Sequence, residues 1–174
     1  MNLIQTAPLW LVILLFAILA AAAIEDFIRL RISNLTCAAV LVAALVAMAF
    51  SGLSLDLWQN VVVFLVLLGA GTLLFASRWM GGGDVKLLAA LGLFVNLIAG
   101  LWLLATVLLA GGVLAVIYII ARVARGQPFG KKYQSKGIPY GIAIAVGASL
   151  VFAGQYGLLK YGSQSNPLEV RTLD

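Results

Sequence analysis

Two aspartates stand at the borders of long apolar stretches in this sequence. Asp84 follows three consecutive glycines, Gly81, Gly82 and Gly83, at the start of one apolar run, and Asp26 ends another. An ionisable residue at the edge of a membrane span is a functional-site hypothesis by default. Whether the two aspartates meet therefore decides which chemistry the chain can perform.

The chemistry open to such a pair is acid–base hydrolysis. Two carboxylates about 3 Å apart cannot both ionise, so one holds a proton at neutral pH while the other is charged. The charged member can activate water as a general base, and the protonated member can protonate a leaving amide as a general acid. If Asp26 and Asp84 meet, the sequence predicts a pair that hydrolyses peptide bonds at a membrane.

The residues around the two aspartates leave alternatives open. The glycines 81–83 would let a substrate backbone approach closely, but in isolation they are better explained as a turn that places an acid at a helix N-terminus. Glu25 can substitute for Asp26, although a helix turns about 100° per residue, so both cannot point at Asp84 equally well. Lys86 is an interface residue with a buried stem, or it holds one aspartate ionised, or it binds an acid of the substrate.

Composition assigns the chain to the membrane proteins. Of its 174 residues, 64% are hydrophobic and only 10% are charged, and the mean hydropathy is +1.13, far from the composition of soluble domains. The formal charge of +5 is a topology signal rather than a nucleic-acid surface. One cysteine and no histidine exclude an internal disulfide, a Cys-based zinc cluster and a His-containing triad. No metal, other cofactor or nucleic acid is expected to bind.

The apolar runs predict one domain, an all-α bundle of about six transmembrane helices. They lie at about 8–24, 35–50, 57–76, 86–98, 100–121 and 138–157, with a basic loop at 122–136 and a polar tail at 158–174. Ser33 or Asn34 is expected to cap the second helix. The uncharged run from 87 to 121 would form a helix of about 50 Å, which exceeds a hydrocarbon core of about 30 Å. A break between Asn96 and Gly100 is therefore predicted.

The basic residues predict which ends of the spans face the cytoplasm, because Lys and Arg concentrate in cytoplasmic loops. Nine of the eleven Lys and Arg residues lie in three loops that share one side of a six-span bundle: Arg29, Arg31, Arg78, Lys86, Arg122, Arg125, Lys131, Lys132 and Lys136. Both termini then face the other side. Asp26 and Asp84 fall together on the cytoplasmic side, and Asp56 falls opposite them.

Three patches of the sequence resemble the type IV prepilin peptidases, in particular the short form of tight-adherence (Flp-type) pili called TadV or CpaA. The patches are Asp26 with the residues up to 34, the stretch 81–87, and residues 138–141 at the start of the last span. They follow the order and spacing of that family and together sample most of the chain. Ser33 stands where the family often has proline.

The resemblance implies an intramembrane aspartyl endopeptidase of the bacterial cytoplasmic (inner) membrane. It would remove the short basic leader from prepilin precursors at the cytoplasmic face, and it would contact the precursor's signal-peptide helix and membrane lipid. Asp26 and Asp84 carry over as the catalytic pair. The residues expected to bind substrate or shape the site are Gly81, Gly82, Gly83, Lys86, Pro139 and Tyr140. The cysteine-bearing N-terminal domain of longer members has no counterpart here, so N-methylation is not expected.

Two other classes of protein compete with this interpretation. In a small transporter or channel, Asp26 and Asp84 would bind a cation or proton along a pathway. Such a protein should have internal repeats and broken helices at the bilayer midplane, whereas both aspartates lie at one border. In a membrane scaffold, the glycines would only pack helices, and either aspartate would be replaceable. A presenilin-like protease shares the glycine–aspartate element, but the surroundings of Asp26 fit prepilin peptidases better.

The predicted topology can be tested by cysteine accessibility in a chain whose native Cys37 is replaced by alanine. We expect Lys131→Cys to react with a membrane-impermeant thiol reagent only when the cytoplasmic face is opened, because this loop carries the densest positive charge. Asp56→Cys should react from the outside of intact cells. Labelling of position 131 from the outside would overturn the topology and the shared depth of the two aspartates.

Overall fold

A computed structural model describes residues 1–52, 54–124 and 140–164 of the chain. This part contains seven helices and no strand: α1 Leu3–Thr6, α2 Leu9–Arg29, α3 Asn34–Ser51, α4 Leu57–Ala76, α5 Gly82–Gly92, α6 Leu97–Ala124 and α7 Tyr140–Gln164. Five of them, α2, α3, α4, α6 and α7, are long and apolar enough to cross a membrane. The predicted all-helical membrane class is confirmed.

Helix α2 extends further than the sequence predicted. The first span was expected to end near residue 24 with a charged turn, but the helix continues to Arg29 and therefore carries Asp26 in its last turns. It stops at Leu30, whose φ of 52° is left-handed and whose N–H donates to the Asp26 carbonyl. The basic residue in the last turn is Arg29, and a positive charge there is favoured by the negative end of the helix dipole. The charged residues that follow the apolar run, up to Arg29, are therefore part of the helix.

Helix α5 is shorter than the predicted fourth span of 86–98. Its 11 residues rise about 16 Å, which is too short to cross a hydrocarbon core of about 30 Å. It ends at Gly92, and a turn leads to α6 at Leu97. Asn96 causes the new start, because its side-chain oxygen accepts the Ala99 N–H at 2.9 Å.

The buried C-terminal end of α5 is hydrogen-bonded by groups from outside the helix. The Asn60 side chain of α4 is fully buried and donates to the Leu93 carbonyl at 2.8 Å. The Leu3 N–H of α1 donates to the Phe94 carbonyl at 2.9 Å. Backbone carbonyls at membrane depth need such donors, since no water is there to replace them. The short helix can therefore end inside the bundle.

Helix packing follows from small residues at the contact points. Helix α5 lies between α3 and α4, α2 lies between α3 and α7, and α6 packs along α7. Gly71 of α4 and Gly147 of α7 each face a neighbouring helix at close range, the usual role of small residues between membrane helices.

The last helix also differs from the predicted bounds. Helix α7 continues to Gln164, past the predicted end of the span near 157, so the start of the expected polar tail is helical. Most of the predicted basic loop, 125–136, and the residues after 164 lie outside the described part of the chain.

The α6–α7 contact yields a prediction about two glycines on one helix. A Cβ at Gly147 would lie 2.7 Å from the Val107 backbone nitrogen, whereas a Cβ at Gly154 would have no heavy atom within 4 Å. We expect Gly147→Ala to lower stability by about 1–3 kcal/mol, the usual cost of overpacking. Gly154→Ala should be neutral or stabilise by up to about 1 kcal/mol, because alanine is the better helix former. Thermal unfolding in a mild detergent measures both, and equal Tm values would contradict the packing.

Candidate active site

Asp26 is buried at the end of α2 and is held by the start of α7. Its side chain is 3% exposed, and its Oδ2 atom accepts the Gly141 N–H at 2.6 Å. The first N–H groups of a helix lack partners within the helix, and this end of the helix dipole is positive. The start of α7 is therefore a binding site for a carboxylate, and Asp26 occupies it.

Gly141 is required for this contact; it belongs to the patch 138–141 of the sequence analysis but was not among the predicted site residues. A Cβ at this position would lie 2.8 Å from Asp26 Oδ2 and 2.8 Å from Ile32 Cδ1. No side chain fits without moving the carboxylate or Ile32. A glycine in the first turn of a predicted span was the available signal, but only the tertiary structure shows what approaches it.

Asp84 lies in the first turn of α5, outside the five helices that are long enough to span a membrane, and is 9% exposed. Its Oδ2 atom accepts the Gly81 N–H at 3.2 Å, so the acid reaches back and caps its own helix. Burial raises the pKa of Asp84 to about 6, and the neighbouring Asp26 carboxyl adds to the rise. The protonated form of Asp84 is therefore favoured well above the usual range for an aspartate.

The three glycines before Asp84 set how closely α5 approaches its surroundings. A Cβ at Gly81 would lie 2.6 Å from Asp84 Oδ2, and one at Gly83 would lie 2.8 Å from the Ile32 carbonyl oxygen. Gly82 faces the ring of Phe75, 3.3 Å from where its Cβ would be. The glycines thus place the start of α5 directly against the segment that follows Asp26.

The structure brings Asp26 and Asp84 into the wall of one cavity of about 750 Å³. The same wall contains Tyr140, Phe75 and Trp79, together with Leu30, Ala76, Arg78, Met80 and Gly81. Two carboxyl groups therefore face a space with aromatic and aliphatic walls. Such a space can hold a peptide segment together with a water molecule.

Glu25 is directed to a different task from Asp26. Its Oε2 atom accepts the Ser33 N–H at 3.1 Å and the Thr36 hydroxyl at 2.8 Å. Ser33 is the N-cap of α3, and its own hydroxyl accepts the Thr36 N–H. Of the two predicted caps, Ser33 is therefore the one used. Glu25 therefore joins the end of α2 to the start of α3. Adjacent positions of a helix differ by about 100°, so Glu25 and Asp26 point in different directions.

The remaining candidate residues lie at the edge of the site or outside the described chain. Lys86 is exposed, and its ammonium group donates to the Asn34 side-chain oxygen at 2.8 Å. It lines a second cavity of about 750 Å³, whose wall also includes Glu25, Arg29, Arg31 and Asp84. Tyr140 lines the cavity of the two aspartates. Pro139 lies outside the described residues.

Asp56 lies apart from both cavities, exposed before the first residue of α4. Neither cavity wall includes it. Within the described ranges, no three His, Cys, Asp or Glu side chains are grouped as metal ligands.

Comparison with known proteins identifies one family. A family model described as the type IV leader peptidase family matches residues 13–120, a range that contains both aspartates and the three glycines. No curated protein matches the chain, and no solved structure matches it.

The raised pKa of Asp84 predicts that its ionised form destabilises the fold. The folded pKa of Asp84, about 6, exceeds the ordinary value of 3.8. The contribution of Asp84 to the free energy of unfolding is therefore fully present below about pH 4 and is lost as pH rises through 6. Asp84→Asn has no charge to bury, and its side-chain oxygen can still accept from Gly81. We expect it to exceed the native protein in stability by about 1–3 kcal/mol at pH 7.5 and to match it near pH 4.

The measurement is thermal unfolding of both proteins in detergent at the two pH values. Exposed Asp56→Asn is the control, and it should change Tm little at either pH. A native protein that is as stable as Asp84→Asn at pH 7.5 would contradict the burial of an ionisable Asp84.

Proposed function

Because the chain belongs to the type IV leader peptidase family, it is an aspartic endopeptidase that cleaves prepilin leaders, and we propose that Asp26 and Asp84 are its catalytic pair. The observation that carries the assignment is the single cavity whose wall contains both buried carboxyl groups. Family membership also decides against the transporter, channel and scaffold interpretations. The enzyme is a helical membrane protein with several spans.

The two aspartates have different roles in this proposal. Asp26 accepts an N–H at 2.6 Å from the positive end of α7, an arrangement that suits a carboxylate anion and therefore a general base. Asp84 has its pKa raised to about 6, which suits the general acid. Geometry and charge thus divide the work between the pair.

The reaction follows from these roles. Asp26 takes a proton from water while the water oxygen attacks the carbonyl carbon of the scissile peptide bond. Asp84 gives its proton to the leaving nitrogen as the carbon–nitrogen bond breaks. The products are a new carboxyl group on the leader and a new amino group on the mature protein. Transfer of the proton from Asp26 to Asp84 then returns the pair to its starting state.

The precursor reaches the pair along the end of α4 in this proposal. Residues 72–79 are exposed without interruption. Residues 72–76 are the end of α4 and, at about 100° per residue, cover every face of the helix. Phe75 and Trp79 of this run also line the cavity of the two aspartates. An extended segment of the precursor would enter between them and Tyr140, and its apolar helix would lie along the exposed side of α4.

The substrate is proposed to be a precursor of the Flp or tight-adherence type, cut at the cytoplasmic face of the membrane. The resemblance to the short prepilin peptidases supports the first part. The second part is supported by Arg29, Arg31, Arg78 and Lys86, which lie at the same end of the bundle as the two aspartates, because basic residues favour the cytoplasmic side.

The catalytic assignment predicts that Asp26→Asn and Asp84→Asn each abolish leader removal. Asparagine keeps the shape of aspartate but cannot act as its acid or base, and loss of one member of a catalytic unit costs almost as much as loss of both. We expect a fall of at least about 10³-fold. Each variant is co-expressed with a Flp-type precursor from the same genome, and leader loss is followed by mass spectrometry.

Two control variants make this experiment specific. Asp56→Asn should cleave normally, because Asp56 lies outside both cavities. Glu25→Gln should stay active, since the amide oxygen can still accept from Ser33 and Thr36. Inactive Glu25→Gln beside active Asp26→Asn would mean that the wrong neighbour is assigned. Activity in both Asp26→Asn and Asp84→Asn would refute the catalytic pair.

A further inference from the structure

A groove on the outer surface of the bundle is not explained by peptide cleavage. Helices α3 and α4 both pack on α5, and between them remains a cavity of about 290 Å³, called here the α3–α4 groove. Its walls are formed by Ala38 and Leu41 of α3 and by Phe64 and Leu68 of α4, and its floor by Ala89 and Ala90 of α5. The walls are apolar and belong to two helices that are long enough to span a membrane.

One end of the α3–α4 groove carries an unneutralised positive charge. Lys86 and Asn34 line this end, and the Lys86 ammonium donates to the neutral side-chain oxygen of Asn34. Among the described residues no carboxylate forms an ion pair with Lys86. The groove therefore combines an apolar channel with a cationic end, at the end of the bundle where Arg29 and Arg31 also lie.

The dimensions of the groove distinguish between possible occupants. From Asn34 to Leu41 the α3 wall is about 10 Å long at 1.5 Å per residue. An α-helix about 10 Å in diameter occupies about 800 Å³ over that length, so most of such a helix would lie outside the groove. The groove suits a single hydrocarbon chain better than a helix of a partner protein.

We propose that the α3–α4 groove is a binding site for an anionic phospholipid. One acyl chain lies in the groove against Ala89 and Ala90, and the headgroup phosphate pairs with Lys86. A basic residue near the headgroup region attracts anionic lipids, so the site distinguishes them from zwitterionic lipids of the same chain length.

The lipid would also contact the helix that carries Asp84. Cys37 lines the groove, and its thiol lies 3.4 Å from the Gly83 carbonyl oxygen, to which it donates. Lys86 is two residues after Asp84. In this proposal a bound lipid therefore contacts the start of α5. Binding itself does not depend on the catalytic assignment, so the two proposals can fail separately.

The test compares phosphatidylglycerol with phosphatidylcholine of identical chains, added to the full-length protein in detergent. We expect phosphatidylglycerol to raise Tm by about 3 °C or more above the phosphatidylcholine value, and native mass spectrometry to show a retained phosphatidylglycerol adduct. Lys86→Gln should lose this preference, and Lys86→Arg should keep it. Inorganic phosphate should have no effect, because it lacks the chain that the groove holds.

Two matched pairs of variants locate the site: Ala38→Phe with Ala70→Phe, and Lys86→Gln with Arg78→Gln. Ala38→Phe fills the groove from an exposed position of α3, whereas Ala70→Phe adds the same ring to an exposed position of α4 that does not line the groove. Ala38→Phe should lose the lipid adduct and Ala70→Phe should keep it. Arg78→Gln removes a cation outside the groove and should keep the preference.

The proposal is overturned by equal effects of the two lipids on the native protein, or by a preference that survives in Lys86→Gln. It is also overturned by an adduct that survives in Ala38→Phe, or by an equal effect of inorganic phosphate, which would indicate a simple anion site.

Discussion

Two carboxyl groups buried at one end of a helical bundle require polar partners, and the rest of the structure supplies them. Asp26 accepts the Gly141 N–H at 2.6 Å, and Asp84 accepts the Gly81 N–H at 3.2 Å. A buried carboxylate without such donors is costly. The bond to Gly141 requires α7 to begin beside the end of α2, and α7 packs both on α2 and, closely at Gly147, on α6. Packing along α7 therefore helps to hold the first carboxylate.

The second carboxylate depends on a helix that is too short to cross the membrane. Helix α5 can be short because the turn that follows it is hydrogen-bonded from outside, by the Asn60 side chain at the Leu93 carbonyl and by the Leu3 N–H at the Phe94 carbonyl. Without these donors, a helix end inside the bundle would leave polar groups unsatisfied. Since α5 has only 11 residues, the contacts at its C-terminal end also set the depth of Asp84 at its N-terminal end.

The sequence predicted the features that local chemistry controls. A glycine-rich turn before an acid indicated the start of α5, and Ser33 or Asn34 was expected to cap α3. The break before α6 was expected between Asn96 and Gly100, and it lies at residues 93–96. The sequence did not predict that α2 continues to Arg29, because charged residues are compatible with a helix end as well as with a turn. Nor did it predict α1 or the need for glycine at position 141, since both depend on contacts between residues far apart in the chain.

The two aspartates are held in different ways, and this difference favours different roles. Asp26 lies on a long helix and is fixed by a backbone N–H of a second long helix, so its position follows the bundle. Asp84 lies at the start of a short helix, after three glycines. Gly83 contacts the Ile32 backbone and the Cys37 thiol, and Gly82 faces the Phe75 ring. The cavity of the two aspartates and the α3–α4 groove are both lined by residues of α5, the helix that carries Asp84. In the proposed division of roles, the general base needs a constant position to orient water and the general acid must follow the leaving nitrogen, which agrees with an Asp26 held between two long helices and an Asp84 on a short one.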